Sequence, residues 1–143
     1  MKLVQVDDVP IPDWLLEAAF CQPNKAYISE RTIQDFAWDV LLPLARRHPD
    51  VNISLRPCSN HVHIGDVGLT PHNHLPHAFT SVLYLEDSMG ELVLNPDTAE
   101  ERMINPIKGR FVMFAGDIMH SVNPSPCPEL RISLVTNYEY PSV

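Results

Sequence analysis

From Val51 onward the chain breaks into short runs rich in β-branched and aromatic residues, divided by Pro, Gly, Asn and Asp. Runs so short suit strands rather than long helices, and the pattern is that of an antiparallel sandwich or barrel. Strands are expected near 51–56, 60–66, 78–86, 91–94, 102–105, 109–115, 119–122 and 129–139. Eight short strands with long connections predict a mainly β fold, a double-sheet jelly roll whose open mouth can hold a ligand. Most of the 14 prolines lie at the proposed breaks, as in Asn105-Pro106 and Pro124-Ser125-Pro126, which reads as loops rather than disorder.

The first third has a different period. Pro12 suits the first turn of a short helix through Phe20, with Pro23-Asn24 beyond it as a stop. Ser29 is a candidate N-cap for a second helix. Ile33, Phe36, Ala37, Val40, Leu41 and Leu44 then give one apolar stripe ending near Pro43 and Arg46-Arg47. Such a stripe needs a sheet to cover. Residues 1–50 are therefore read as helical support and 51–143 as the β core of a single domain, which 45% hydrophobic residues can fill.

Charge and cysteine usage narrow the functional classes. A net charge of −8 argues against a protein that tracks a nucleic-acid backbone, so a small-molecule, amino-acid or peptide substrate is expected instead. Cys21, Cys58 and Cys127 are odd in number, far apart and without Cys-x-x-Cys spacing, which suits a reducing cytoplasm and no disulfide framework. Acidic residues follow Met1-Lys2-Leu3-Val4-Gln5-Val6 where a signal peptide would carry its apolar core, and no run reaches membrane-spanning length. The expectation is a soluble, unprocessed cytoplasmic protein.

Two stretches carry candidate chemistry. In Thr70-Pro71-His72-Asn73-His74, residues i and i+2 of a strand share a face, so His72 and His74 can converge on one metal ion, and His120 offers a third imidazole. Between Leu130 and Tyr138 the pattern alternates, with Arg131, Ser133, Val135 and Asn137 on one face. An arginine fork beside a serine hydroxyl suits a carboxylate, which guanidinium binds bidentately. Tyr84 is either a further hydroxyl for the same anion or a core tyrosine. His61 and His63 are read as surface or pocket-wall residues, and His77 as a loop or supporting residue rather than a fourth ligand.

The run from Gly65 to His74 (GDVGLTPHNH), then Thr80 to Leu85 and Gly90-Glu91-Leu92, resembles the first metal-binding half of the iron(II)- and 2-oxoglutarate-dependent dioxygenases. The nearest likeness is to their prolyl-hydroxylase-like branch. Pro106 to Phe114, His120 to Pro124 and Arg131-Ile132-Ser133 resemble the second half, in the same order, so the likeness covers roughly residues 60 to 138. It implies a double-stranded β-helix, a jelly-roll and cupin-like variant, with iron at its mouth. It also implies that His72 and His120 ligate the metal, that Arg131 holds the C5 carboxylate of 2-oxoglutarate, and that Tyr84 and Ser133 assist. The implied reaction hydroxylates an unactivated C–H bond with O2 while 2-oxoglutarate is decarboxylated to succinate.

The departure is His74, which stands where the family usually has the carboxylate of a His-x-Asp pair. It either ligates iron in a three-histidine face, or leaves the position to water with Asp66 or Glu86 reaching in, or marks a site that has lost catalysis. A neutral imidazole there would leave iron(II) one charge more positive and favour a dianionic cosubstrate. Two other readings stay open: a cupin-like metal dioxygenase that does not use 2-oxoglutarate, and a non-catalytic jelly-roll binding module. A homodimer could complete the substrate pocket.

Overall fold

The computed structural model describes residues 1–24, 26–65, 67–125 and 131–141. Its strands are β1 (Leu3–Val6), β2 (Arg56–Gly65), β3 (Leu69–His72), β4 (Phe79–Tyr84), β5 (Leu92–Leu94), β6 (Arg102–Ile104), β7 (Phe111–Ala115), β8 (His120–Val122) and β9 (Arg131–Glu139). They form a major sheet of order β1-β7-β4-β9-β2 and a minor sheet of order β3-β8-β5-β6, with antiparallel pairing throughout these strands. From β2 to β9 the chain alternates between the two sheets except at β5 and β6, which are consecutive and paired in the minor sheet, as the expected double-stranded β-helix requires.

Alternation along the central strands separates two cores. Phe79, Leu83, Phe111, Met113, Ile132, Leu134 and Tyr138 are buried on the helical side of the major sheet, whereas Val82, Tyr84, Val112, Phe114 and Val135 pack towards Leu92, Leu94 and Ile104. The period-two rule thus places a packed face towards the helices and a second face towards the minor sheet. Helices α1 (Asp13–Phe20), α2 (Arg31–Phe36) and α3 (Leu42–Ala45), with a π-helical segment at Ala37–Leu41, cover the first face. Leu15, Ile33 and Leu41 are fully buried there, each contributing about 1.5–3 kcal/mol of transfer free energy.

Several boundaries differ from expectation for local reasons. The cap of α2 is Glu30, not Ser29: its carboxylate accepts the Ile33 N–H at 3.0 Å. The helical run passes through Pro43 and ends at Ala45, beside the expected stop at Arg46-Arg47. Proline has no N–H and crowds the carbonyl four residues back, and the wider π-helical turn before it accommodates that loss. The strand expected at 51–56 is a turn up to Leu55, because the Asn52 side chain accepts the Ser54 N–H at 2.9 Å and closes an Asx turn. Strand β1 was not anticipated; its four residues are too few to show a period, and pairing of Leu3 with Phe114 and Val6 with Phe111 is what makes it a strand. Asp66, Cys127, Glu129 and Leu130, which entered the expected loops and strand ends, lie outside the described residues.

Candidate metal centre

In the antiparallel pairing of β3 with β8, His72 stands directly opposite His120, and their ring centroids are 4.3 Å apart. His74 lies on neither strand. β3 ends at His72, so the i, i+2 rule does not orient His74, and a turn does so instead. The His74 N–H donates to the Gly116 carbonyl and the His77 N–H to the His74 carbonyl, both at 2.9 Å. A Cβ at position 116 would lie 1.9 Å from the His77 carbonyl oxygen, so only glycine lets the turn close this tightly. The turn returns His74 to within 5.4 Å of His72 and 4.9 Å of His120, ring centre to ring centre. One ligating nitrogen from each of the three lies within 4.8 Å of the others.

The hydrogen bonds of the three rings set their tautomers. His72 Nδ1 lies 2.8 Å from the Thr70 carbonyl, His120 Nδ1 lies 3.0 Å from the Ile118 carbonyl, and His74 Nδ1 lies 2.8 Å from Asn137 Oδ1. A carbonyl oxygen only accepts, so each Nδ1 carries a proton, and it is Nε2 that offers the lone pair in the neutral ring. The Asn137 amide is itself oriented, since the Thr80 hydroxyl donates to its oxygen and its nitrogen donates to Ser59 Oγ at 3.1 Å. Burial is the main cause holding His120 down to about 4, against the Ile118 carbonyl, and burial likewise lowers His74. Both rings are therefore neutral at physiological pH, the form that binds metal.

Three converging imidazoles fit a first-row transition metal such as iron(II). Among the described residues lining the cavity there is no carboxylate. Glu86 lies instead 3.9 Å from Lys108 Nζ, outside the lining, and Asp66 is not among the described residues. His77 is a loop residue off the cavity, with its Nδ1 3.4 Å from Cys58 Sγ.

The histidines border a cavity of about 270 Å³ between the sheets, whose walls include Leu69, Val82, Leu92, Val122 and Val135. His61 and His63 line it, as pocket-wall residues should, and burial followed by the nearby His74 pushes His61 down to about 4. Arg131, Ser133 and Tyr84 line the same cavity. Arg131 is 1% exposed, and its guanidinium donates to the carbonyls of Gly90 at 3.3 Å, Asn123 at 3.0 Å and Val67 at 2.8 Å. Gly90 adopts φ 95°, and a Cβ there would fall 2.3 Å from Arg131 Nη1, so glycine is what admits the arginine. Tyr84 faces Ser133 across the β4–β9 register. Burial raises the Tyr84 phenol, more than Arg131 and Arg110 lower it, so the hydroxyl keeps its proton and stays a donor.

Asn137 and Gly90 are the residues whose roles the sequence did not announce. The alternation of β9 had placed Asn137 on the face of Arg131 and Ser133, but its bond to His74 depends on a turn that no local pattern reveals.

A family model for the 2OG-Fe(II) oxygenase superfamily matches residues 46–139. Among curated proteins none matches the chain in sequence. A Pseudomonas putida prolyl-4-hydroxylase superposes with TM-score 0.72 at 19% identity, over 98% of this chain and 93% of that one. HygX from Streptomyces hygroscopicus, solved with nickel and 2-oxoglutarate, superposes with TM-score 0.74 at 12% identity, over 96% of this chain and 81% of that one. A Trichoplax adhaerens prolyl hydroxylase, solved with a peptide fragment, gives TM-score 0.61 at 22% identity, over 80% of this chain and 61% of that one. These three likenesses bear on the fold, and the family match covers well over half of the sequence. The chain belongs to the 2OG-Fe(II) oxygenase superfamily, enzymes that use iron(II), 2-oxoglutarate and dioxygen.

Proposed function

We propose that His72, His74 and His120 hold iron(II) through their Nε2 atoms, and that Arg131, with Tyr84 and Ser133 beside it, holds the distal carboxylate of 2-oxoglutarate. The observation that carries this reading is the common tautomer of the three histidines, each with its Nδ1–H given to a carbonyl oxygen. Such bonds orient a ligand and raise its basicity. Three neutral ligands would leave the metal its full charge, which favours a dianionic cosubstrate.

The bound metal and 2-oxoglutarate would supply the oxidation, one oxygen atom going to a substrate C–H bond and the other to succinate, with release of carbon dioxide. The protein's part is binding and orientation. Arg131, immobilised by three carbonyls, fixes one end of the cosubstrate. The protonated Tyr84 and Ser133 hydroxyls can donate to the same carboxylate, and the apolar walls keep water from the reacting end.

The substrate class we propose is a peptide or free amino acid, with another small metabolite as the wider class. The prolyl hydroxylases among the structural neighbours, one solved with a peptide, support the narrower choice. Free Cys21 and Cys58 suit the reducing cytoplasm, and no helix among the described residues is long and apolar enough to cross a membrane. A second copy of the chain could wall the cavity mouth. The test is iron-dependent release of succinate across a panel of proline-containing peptides and free amino acids. Stimulation by one member supports the proposal, and no release with iron and 2-oxoglutarate both bound counts against catalysis.

A further inference from the structure

Outside the cavity, a second set of ligand atoms meets at the β2 edge of the major sheet. Between Pro57 and Ser59 the register against β9 slips, since Pro57 pairs with Tyr138 and Ser59 with Asn137. Cys58 is thus the extra residue of a β-bulge, a device that re-aims a side chain out of the regular pleat. Its Sγ lies 3.4 Å from His77 Nδ1. The Glu139 carboxylate, at the end of β9, completes a group whose ligand atoms all lie within 4.8 Å of one another.

The spacing and the donor types suit one class of ion. Zn–S and Zn–N bonds of about 2.3 and 2.0–2.1 Å, at a tetrahedral angle, set sulfur and nitrogen roughly 3.5 Å apart. The Cys58–His77 distance already matches. Thiolate, imidazole and carboxylate together select a borderline-soft divalent ion, whereas magnesium and calcium prefer oxygen alone. A second cavity, of about 540 Å³, opens onto all three residues and leaves space for a water or other small fourth ligand.

We propose that Cys58, His77 and Glu139 form a second metal site, of the zinc class, separate from the three-histidine centre. As the metal–sulfur bond forms, the Cys58 thiol gives its proton to solvent, and no electron is transferred. The site adjoins the elements that orient His74. Cys58 Sγ is 3.4 Å from the Asn137 carbonyl, Asn137 bonds the His74 ring, and His77 shares the turn closed on Gly116. An ion held there ties the bulge to that turn and to the end of β9.

The test uses the full chain and cobalt(II) alone as probe, under anaerobic conditions with a reductant that is not a thiol. The expected result is a thiolate-to-cobalt charge-transfer band that is reversed by zinc and saturates by two equivalents in the parent, where the three-histidine centre also takes cobalt, and by one equivalent when that centre is disabled. The band should persist in a His72→Ala/His120→Ala variant, which isolates it from the three-histidine centre, and in Cys21→Ser. It should vanish in Cys58→Ser, a near-isosteric change whose folding circular dichroism checks. In His77→Ala and Glu139→Gln the affinity should fall about tenfold or more, since losing even a residue that only supports a ligand costs about that much. No thiolate band, a band that survives Cys58→Ser or needs His72 and His120, or an affinity indifferent to His77 and Glu139 would each overturn the proposal.

Discussion

The His74 ring donates a 2.8 Å hydrogen bond to the side-chain oxygen of Asn137, 63 residues further along the chain. The bond joins the turn after β3 to the last strand of the major sheet and sets which His74 nitrogen faces His72 and His120. Asn137→Ala should therefore lower iron(II) affinity about 10–100-fold without removing any ligand. Anaerobic competition against a chromophoric chelator measures this. Unchanged affinity would mean that His74 is not a ligand, or that the turn alone orients it.

His74→Asp would restore the His-x-Asp pattern usual in the family. If His74 ligates, this variant should keep the metal while altering the iron(II) spectrum, whereas His74→Ala should bind it more weakly. A spectrum and an affinity indifferent to both changes would remove His74 from the coordination sphere.

Arg131→Ala should leave iron bound and weaken 2-oxoglutarate. Losing charge-assisted hydrogen bonds of roughly 1.5–3 kcal/mol each amounts to about 10-fold to 150-fold in affinity per bond. Gly90→Ala should act in the same direction, because its Cβ would meet Arg131 Nη1 at 2.3 Å and displace the fork. Isothermal titration of each variant with iron, then cosubstrate, separates the two steps. Equal loss of both ligands would contradict the division of roles.

Asp7 and Arg110 give a pH signature outside the site. Arg110 Nε donates to Asp7 Oδ1 at 2.8 Å, tying the segment after β1 to the start of β7. The hydrogen bond from Arg110 and then its charge, against a small burial cost, hold the Asp7 carboxyl below its ordinary range. A carboxyl depressed by folding contributes stability above its unfolded value of roughly 3.9, and loses it as pH falls through the folded value. Because Asp7 is about half exposed, the contribution should stay under about 1 kcal/mol. Urea denaturation should find Asp7→Asn less stable than the parent at neutral pH and equal to it in strong acid. A gap that persists in acid would assign the effect to something other than charge.

The sequence made some of this architecture visible and concealed the rest, and the division follows the range of the interactions. The face shared by Arg131, Ser133, Val135 and Asn137 was legible because strand periodicity is local, and all four line the cavity or touch His74. The stripe from Ile33 to Leu44 was legible for the same reason. His72 and His120 could be paired only through linked family motifs, since their opposition is a matter of β3–β8 register. The position of His74 was misread as strand geometry, because a tight turn on Gly116, 42 residues away, leaves no mark on the His-x-His motif itself. Strand β1 and the turn at Asn52 were missed or misassigned because four residues carry too little pattern to outweigh tertiary pairing or one side-chain hydrogen bond.

The most direct measurement is an anaerobic titration of the metal-free protein, first with iron(II) and then with 2-oxoglutarate, following the visible charge-transfer absorption that arises when a 2-oxo acid chelates iron(II). We expect one iron to bind in the parent and none tightly in His120→Ala, with the band appearing on addition of 2-oxoglutarate and weakening in Arg131→Ala. Iron bound without that band, or tight binding that survives the loss of His120, would contradict the assignment of a three-histidine iron centre served by Arg131.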